Sequence, residues 1–383
     1  MTTEGTDSTK RIVGFDGLRG VSIIAVILQH SSLPAGLKRS LGPLADGDWG
    51  VFTFFGLSAF LITGNLLDEI ARSGRIDARA FWIKRFAKLV PSLLVFIVAV
   101  AALTDRVDTQ CRVSAFAGAL LFLTAFMSRQ TCWYFAHTWS LSVEEFFYVG
   151  AVLYLTFFAR GRLAWLATAA VFASPVLRVL NHLHVTPATT HLLPGYRSVP
   201  VFDYADVFVI GALAARAVRC KATVSQNRSR NSANDSLVTL ARETPTWLVI
   251  AVDVLAFGLR DATRSVVLVA LCPMVHAVLL AVLAIKLVTA WERGIAFRVL
   301  EWSALKYLGV ISYSLYLWQQ MFVISDTPQS LPLGFQSFPW NIGIAVLIAS
   351  VNHRWLEEPL RRELRQRLLP RAQSARLPAD GRS

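Results

Sequence analysis

Charge is what this sequence has least of. Only 16% of its 383 residues are charged, while 54% are hydrophobic. A soluble domain of this length would carry about a quarter charged residues, which excludes a single soluble globular fold. Acid is scarcer than base, with 25 Asp and Glu against 38 Lys and Arg, a formal net charge of +13. In a membrane chain such an excess collects in cytoplasmic loops, so no nucleic-acid partner is expected. No internal repeat or low-complexity tract is visible. The first apolar run has no small-residue cleavage pattern behind it and is read as a retained helix, not a signal peptide.

What is present is a succession of apolar runs. Eleven can be marked, near 18–37, 49–67, 89–103, 114–128, 143–159, 163–181, 202–218, 247–260, 265–290, 305–325 and 337–353. Spanning a bilayer takes about 20 residues, and the fourth run, "SAFAGALLFLTAFMS", is shorter than that. If it dips in and returns, ten segments cross and both termini are cytoplasmic. The basic runs at 72–88, 219–242 and 354–382 then fall on the inner side, as the positive-inside rule requires. The expected fold is therefore all-α, a polytopic membrane protein with about ten transmembrane helices and one short re-entrant segment. Residues 1–10 form an N-terminal tail, 11–360 the membrane domain and 361–383 a basic C-terminal tail. The polar stretch 221–246 reads as a linker. Cys111 and Cys132 flank the re-entrant segment on the oxidising side and could pair; two free thiols is the alternative. Cys220 and Cys272 fit no metal pattern. His182, His184 and His191 share one loop without zinc-ligand spacing, so no metal is expected.

Within the first run, Arg19 and His30 stand eleven residues apart. At about 100° per residue they share one face of a helix, roughly 16 Å apart along its axis. Ionisable groups inside a membrane are costly and usually functional. The stretch "HTWSLSVEEFFY", 137–148, brings Glu144 and Glu145 into an apolar span. A carboxylate beside an imidazole would orient it and stabilise its protonated form. Glu144 is expected to do this for His30. Ahead of the third run, "RAFWIKRFAKLVP" places Arg85 and Lys88 on neighbouring positions of one helical face. With Arg19 they would make a cationic mouth for a polyphosphate.

These motifs, in this order, resemble the membrane acyltransferase 3 family of bacterial O-acyltransferases. "FDGLRGVSIIAVILQHS" is similar to its first-helix signature, and "GVFTFFGLSAFLI" to its second-helix segment. "FWIKRFAKLVP", "HTWSLSVEEFFY", "FDYADVFVIGALAA", "LGVISYSLYLWQQ" and "LEEPLRR" resemble later motifs. The chain departs from the pattern in having Phe52 for aspartate, Ala59 for glycine, Lys88 for arginine, Phe146 for glutamine and Gln319 for histidine. The resemblance implies transfer of an acyl group, acetyl above all, from cytoplasmic acyl-CoA to a hydroxyl of a cell-surface carbohydrate or glycolipid. It implies a multi-pass protein of the cell (inner) membrane, in contact with membrane lipid. His30 is the implied general base or acyl carrier, with Glu144 beside it. Arg19, Arg85 and Lys88 would bind the CoA phosphates. Trp139, Ser140, Tyr148 and Asp206 would line the acceptor side. About 30 residues follow the last run, so any soluble partner domain is expected on another chain. A proton-coupled transporter or flippase using His30 and Glu144 as a relay is the alternative.

Overall fold

The computed structural model describes residues 12–104, 113–127, 132–158, 164–183, 200–224, 232–289, 294–323 and 338–368. Among these, every regular element is helical. In chain order they are α1 (Phe15–His30), α2 (Ala35–Leu41), α3 (Gly47–Ser73), α4 (Ala78–Thr104) and α5 (Val113–Leu120). Next come α6 (Trp139–Phe158), α7 (Ala164–His182), α8 (Pro200–Asp203), α9 (Ala205–Val224) and α10 (Ser232–Glu243). The last are α11 (Thr246–Thr263), α12 (Val266–Thr289), α13 (Ile295–Leu300), α14 (Ser303–Val310), α15 (Ser312–Phe322), α16 (Trp340–Asn352) and α17 (Glu358–Leu368).

Local chemistry sets the ends of the helices that carry the site. The Asp46 side chain caps α3 by accepting a bond from the Trp49 backbone N–H at 2.9 Å, satisfying an otherwise unpaired donor. Gly74 closes α3 in the left-handed region at φ 72°, where a side chain would be strained. α1 packs on α3 and α14, and α3 packs in turn on α9 and α12. The α1–α14 contact is nearly backbone to backbone. A Cβ at Gly20 would collide with the Leu305 carbonyl, and one at Gly309 with that of Asp16. Small residues at helix crossings serve this purpose in lipid, where close packing replaces the hydrophobic drive. Large apolar side chains such as Phe157, Trp165, Phe172, Trp247 and Trp340 stay exposed on the outside, the surface a bilayer would cover.

Several expectations change. Among the described residues, four stretches are long and apolar enough to cross a membrane by themselves: 35–73, 78–102, 133–157 and 266–289. Other expected crossings fall on shorter helices. α1 has 16 residues, and the run at 305–325 breaks at Ile311 into α14 and α15. The helix in the fourth run is too short to cross on its own. α5 has eight residues, about 12 Å of helix, against a hydrocarbon core of about 30 Å. The chain then turns through Phe122, at φ 55°. The supposed linker holds α10, which buries Val238 and Ala241. Lys286 of α12 caps its end, donating to the carbonyls of Arg242 at 2.9 Å and Thr244 at 2.8 Å. A cation there answers both the unpaired carbonyls and the helix dipole. Cys132 is disulfide-bonded; Cys111, its expected partner, lies outside the described residues, as do His184 and His191.

Candidate active site

α1 runs unbroken from Phe15 to His30, so Arg19 and His30 do share one helical face. His30, half-buried in the last turn, meets α15. Its Nδ1 lies 3.1 Å from Oε1 of Gln319, a side chain wholly buried. The expected contact between His30 and Glu144 is not formed. The residue that orients the ring is an amide, not an acid. His137 is buried near His30, close enough for their charges to interact, and neither of its ring nitrogens has a hydrogen-bond partner. Buried polar atoms are seldom left this way without a functional reason.

Glu144 is engaged elsewhere. Arg85, from the second turn of α4, reaches both acids of α6. Its Nε donates to Glu145 Oε1 at 2.7 Å, and its Nη2 lies 3.3 Å from Glu144 Oε1. The guanidinium also sits 4.2 Å over the Tyr148 ring, a cation–π contact, while the Tyr148 hydroxyl donates to Glu144. Ser58 of α3 lines the same small space as this carboxylate. Lys88, one turn beyond Arg85, lies within electrostatic reach of Arg19, Arg85, Glu144 and Glu357. Glu357 accepts from Ser314 at 2.8 Å, and Ser314 in turn accepts from Asn352 at 2.9 Å. Three cations and three carboxylates thus meet in one buried cluster. Arg85 is neutralised by its two partners, and the charge not committed to a bond belongs to Arg19 and Lys88. A set of three bare cations is not what forms.

A small cavity of about 50 Å³ lies between α1, α3, α6 and α15, lined by Arg19, Ser58, Ser140, Glu144 and Tyr316 among others. That is room for a few waters. Ser140 and the Tyr316 hydroxyl are 2.7 Å apart, and Tyr316 donates to the His137 carbonyl at 2.8 Å. Polar groups therefore run from the cavity toward the His30 end of α1. Tyr148 is fully buried, and Trp139 packs on Tyr204 with ring centroids 5.6 Å apart. Asp206 lies apart from this centre. It is fully buried and holds Arg178 in a bidentate pair of 3.0 and 2.6 Å.

Sequence reasoning passed over Gln319 except as a departure from a motif, and gave no role to His137, Tyr316 or Glu357. Each sits inside a quoted motif. The signal available was that a polar residue in an apolar helix needs a partner.

Known proteins resemble this chain. Residues 12–351 match a family described as an acyltransferase domain. A protein named O-acetyltransferase OatA from Staphylococcus aureus (strain NCTC 8325 / PS 47) is 32% identical over 162 residues, 39% of this chain and 26% of that protein. The same values hold for OatA of strain COL. Another protein of strain COL, provisionally named an O-acetyltransferase, is 33% identical over 155 residues, 36% of this chain and 24% of its own length. These matches span about a quarter of the curated relatives. No solved structure matches.

Proposed function

The chain belongs to the acyltransferase 3 family, and from that premise we propose that it is a membrane O-acyltransferase. It takes an acyl group, acetyl above all, from acyl-CoA and places it on a hydroxyl of a cell-surface carbohydrate or related acceptor. The match over 12–351 is to an acyltransferase domain, which leaves the transport alternative without support of its own.

The observation that carries the mechanism is the bond between His30 and Gln319. The Gln319 carbonyl oxygen accepts from Nδ1–H of His30. That holds the neutral imidazole in the tautomer whose Nε2 keeps its lone pair. Nε2 then takes the proton of the acceptor hydroxyl as the oxygen attacks the thioester carbonyl. The C–S bond breaks, and the imidazolium returns the proton to the departing CoA sulfur. In the covalent variant Nε2 attacks the thioester first and expels CoA as the thiolate; the acceptor oxygen then displaces the imidazole from the acyl group, and its proton goes to the thiolate. Arg19 holds the CoA phosphates as a fork of donors and Lys88 as a point charge. Arg85, Glu144 and Tyr148 keep α4 and α6 in register around them. The small cavity must widen to admit the thioester. The protein lies in the cell membrane with both termini in the cytoplasm, so donor and acceptor arrive from opposite faces.

The test is acetyl-CoA-dependent labelling of surface carbohydrate in membranes bearing the chain, read by mass spectrometry. Labelling above that of membranes without it is expected. Its absence with acetyl, propionyl and longer acyl-CoA donors would overturn the proposal.

A further inference from the structure

An amide beside His30 leaves a charge unanswered. Beside many catalytic imidazoles a carboxylate balances the imidazolium that forms when the ring takes a proton. Here Gln319 is neutral, and Glu144 is held by Arg85 and Tyr148. The charged side chain within electrostatic reach of His30 is instead a cation, Lys38. Among the described residues no carboxylate acts on the ring.

Lys38 belongs to α2, the short helix after α1. The sequence of α2, AGLKRSL, holds two adjacent cations, Lys38 and Arg39, and no acid. The chain folds back so that Lys38 Nζ donates to the carbonyl of Gln29, the residue before His30, at 2.8 Å. That bond answers one carbonyl left open at the end of α1 and suits the helix dipole. It uses one of the three N–H donors of an ammonium group. Among the described residues no ion pair and no second hydrogen bond engages Lys38. The bond is exposed, so solvent reaches the ammonium group. In the orientation proposed above, α2 lies on the outer face, where Lys and Arg are normally sparse. Capping a helix end accounts for one donor of Lys38, not for a cation placed against a base that must itself become charged.

We propose that Lys38 selects an anionic acceptor, binding a carboxylate or phosphate carried by the carbohydrate next to the hydroxyl that His30 deprotonates. The counter-charge missing from the protein then arrives with the substrate. The hydroxyl proton still passes to His30 Nε2, and the imidazolium stands beside the acceptor's anion instead of facing Lys38 alone. The anion itself forms and breaks no covalent bond. Uronic acids and sugar phosphates both carry an anion a few bonds from free hydroxyls. The word acceptor rests on the acyl transfer proposed above; the binding of an anion by Lys38 does not.

The experiment is saturation-transfer NMR, with competition titrations, on the full chain in nanodiscs of phosphatidylcholine, a lipid without net charge. The probes come in pairs: methyl β-glucuronide against methyl β-glucoside, and glucose 6-phosphate against glucose. The readout is the ratio of affinities within each pair. At least one anion should bind about fivefold more tightly than its neutral parent, near the worth of one exposed charge-assisted contact. The pair that shows the preference tells carboxylate from phosphate. Lys38→Gln should bring that ratio close to one, Lys38→Arg should keep it, and Lys38→Glu should invert it. Added salt should shrink it in the parent chain. No binding by any probe, ratios near one in the parent chain, or a ratio unchanged in Lys38→Gln and Lys38→Glu would each overturn the proposal. A preference for phosphatidylglycerol lost in Lys38→Gln, with sugar ratios near one, would overturn it too and mark Lys38 as a lipid anchor. Anion selection without any acyl transfer would instead count against the proposed reaction and leave the role of Lys38 standing.

Discussion

His30 Nδ1 and Gln319 Oε1 stand 3.1 Å apart, joining the last turn of α1 to a buried position on α15. An amide here does what a carboxylate does beside many catalytic imidazoles, fixing the tautomer without adding charge to an apolar interior. Gln319→Leu should lower kcat for acyl transfer about 10- to 100-fold, as loss of a tautomer-fixing bond of 1–3 kcal/mol implies. KM for acetyl-CoA should change little. Gln319→Glu, which still accepts from Nδ1–H, should restore most of the rate. A Leu variant as active as the parent would remove the positioning role.

Arg85 and the pair Arg19 and Lys88 should separate in experiment. Arg85→Ala leaves Glu144 and Glu145 buried without their partner, which costs about 3–5 kcal/mol, so its main effect is a lowered Tm. Arg19→Ala and Lys88→Ala should raise KM for acetyl-CoA about tenfold, near the worth of one charge-assisted hydrogen bond, with Tm close to that of the parent. Thermal melting in detergent beside donor titrations reads both.

The Arg178–Asp206 pair predicts a non-additive result. Asp206→Asn removes the counter-charge from a buried guanidinium and should destabilise the protein by about 3–5 kcal/mol. Arg178→Met combined with Asp206→Leu should recover much of that loss, because an apolar pair of similar volume avoids the desolvation cost. Denaturation of single and double variants is the check. If the double variant loses as much as the two single changes together, the pair is not the source of the effect.

α10 offers a test away from the site. Its amides should exchange slowly for a segment so polar in composition. Lys286→Met, which removes the donor to Arg242 and Thr244, should speed exchange across 232–243 about fivefold, as loss of roughly 1 kcal/mol implies. Unchanged protection would mean that packing of Val238 and Ala241 alone holds the helix.

How far the sequence foretells this structure depends on the kind of signal. Apolar runs announce the long helices α3, α4, α6 and α12 because length and hydropathy are local properties. The short fourth run is legible for the same reason. The register of Arg19 and His30 follows from helical geometry alone. The partner of His30 does not, because Gln319 lies 289 positions away and nothing local couples the two. Separation in sequence likewise hides the capture of Glu144 by Arg85. Composition also misleads within 221–246, where the polar residues 232–243 are held as a helix by a lysine from α12. Lys88 and Arg85 look alike in sequence, yet of the two it is Arg85 that forms close ion pairs with two carboxylates.

The central claim is that His30 moves the proton of the acceptor or carries the acyl group itself. The most direct test is single-turnover acyl transfer from acetyl-CoA to carbohydrate by purified His30→Ala, with donor binding measured on the same sample. The account predicts a fall of about 10²- to 10⁴-fold, the usual contribution of a general base, with acetyl-CoA still bound. Transfer within a few-fold of the parent would contradict it.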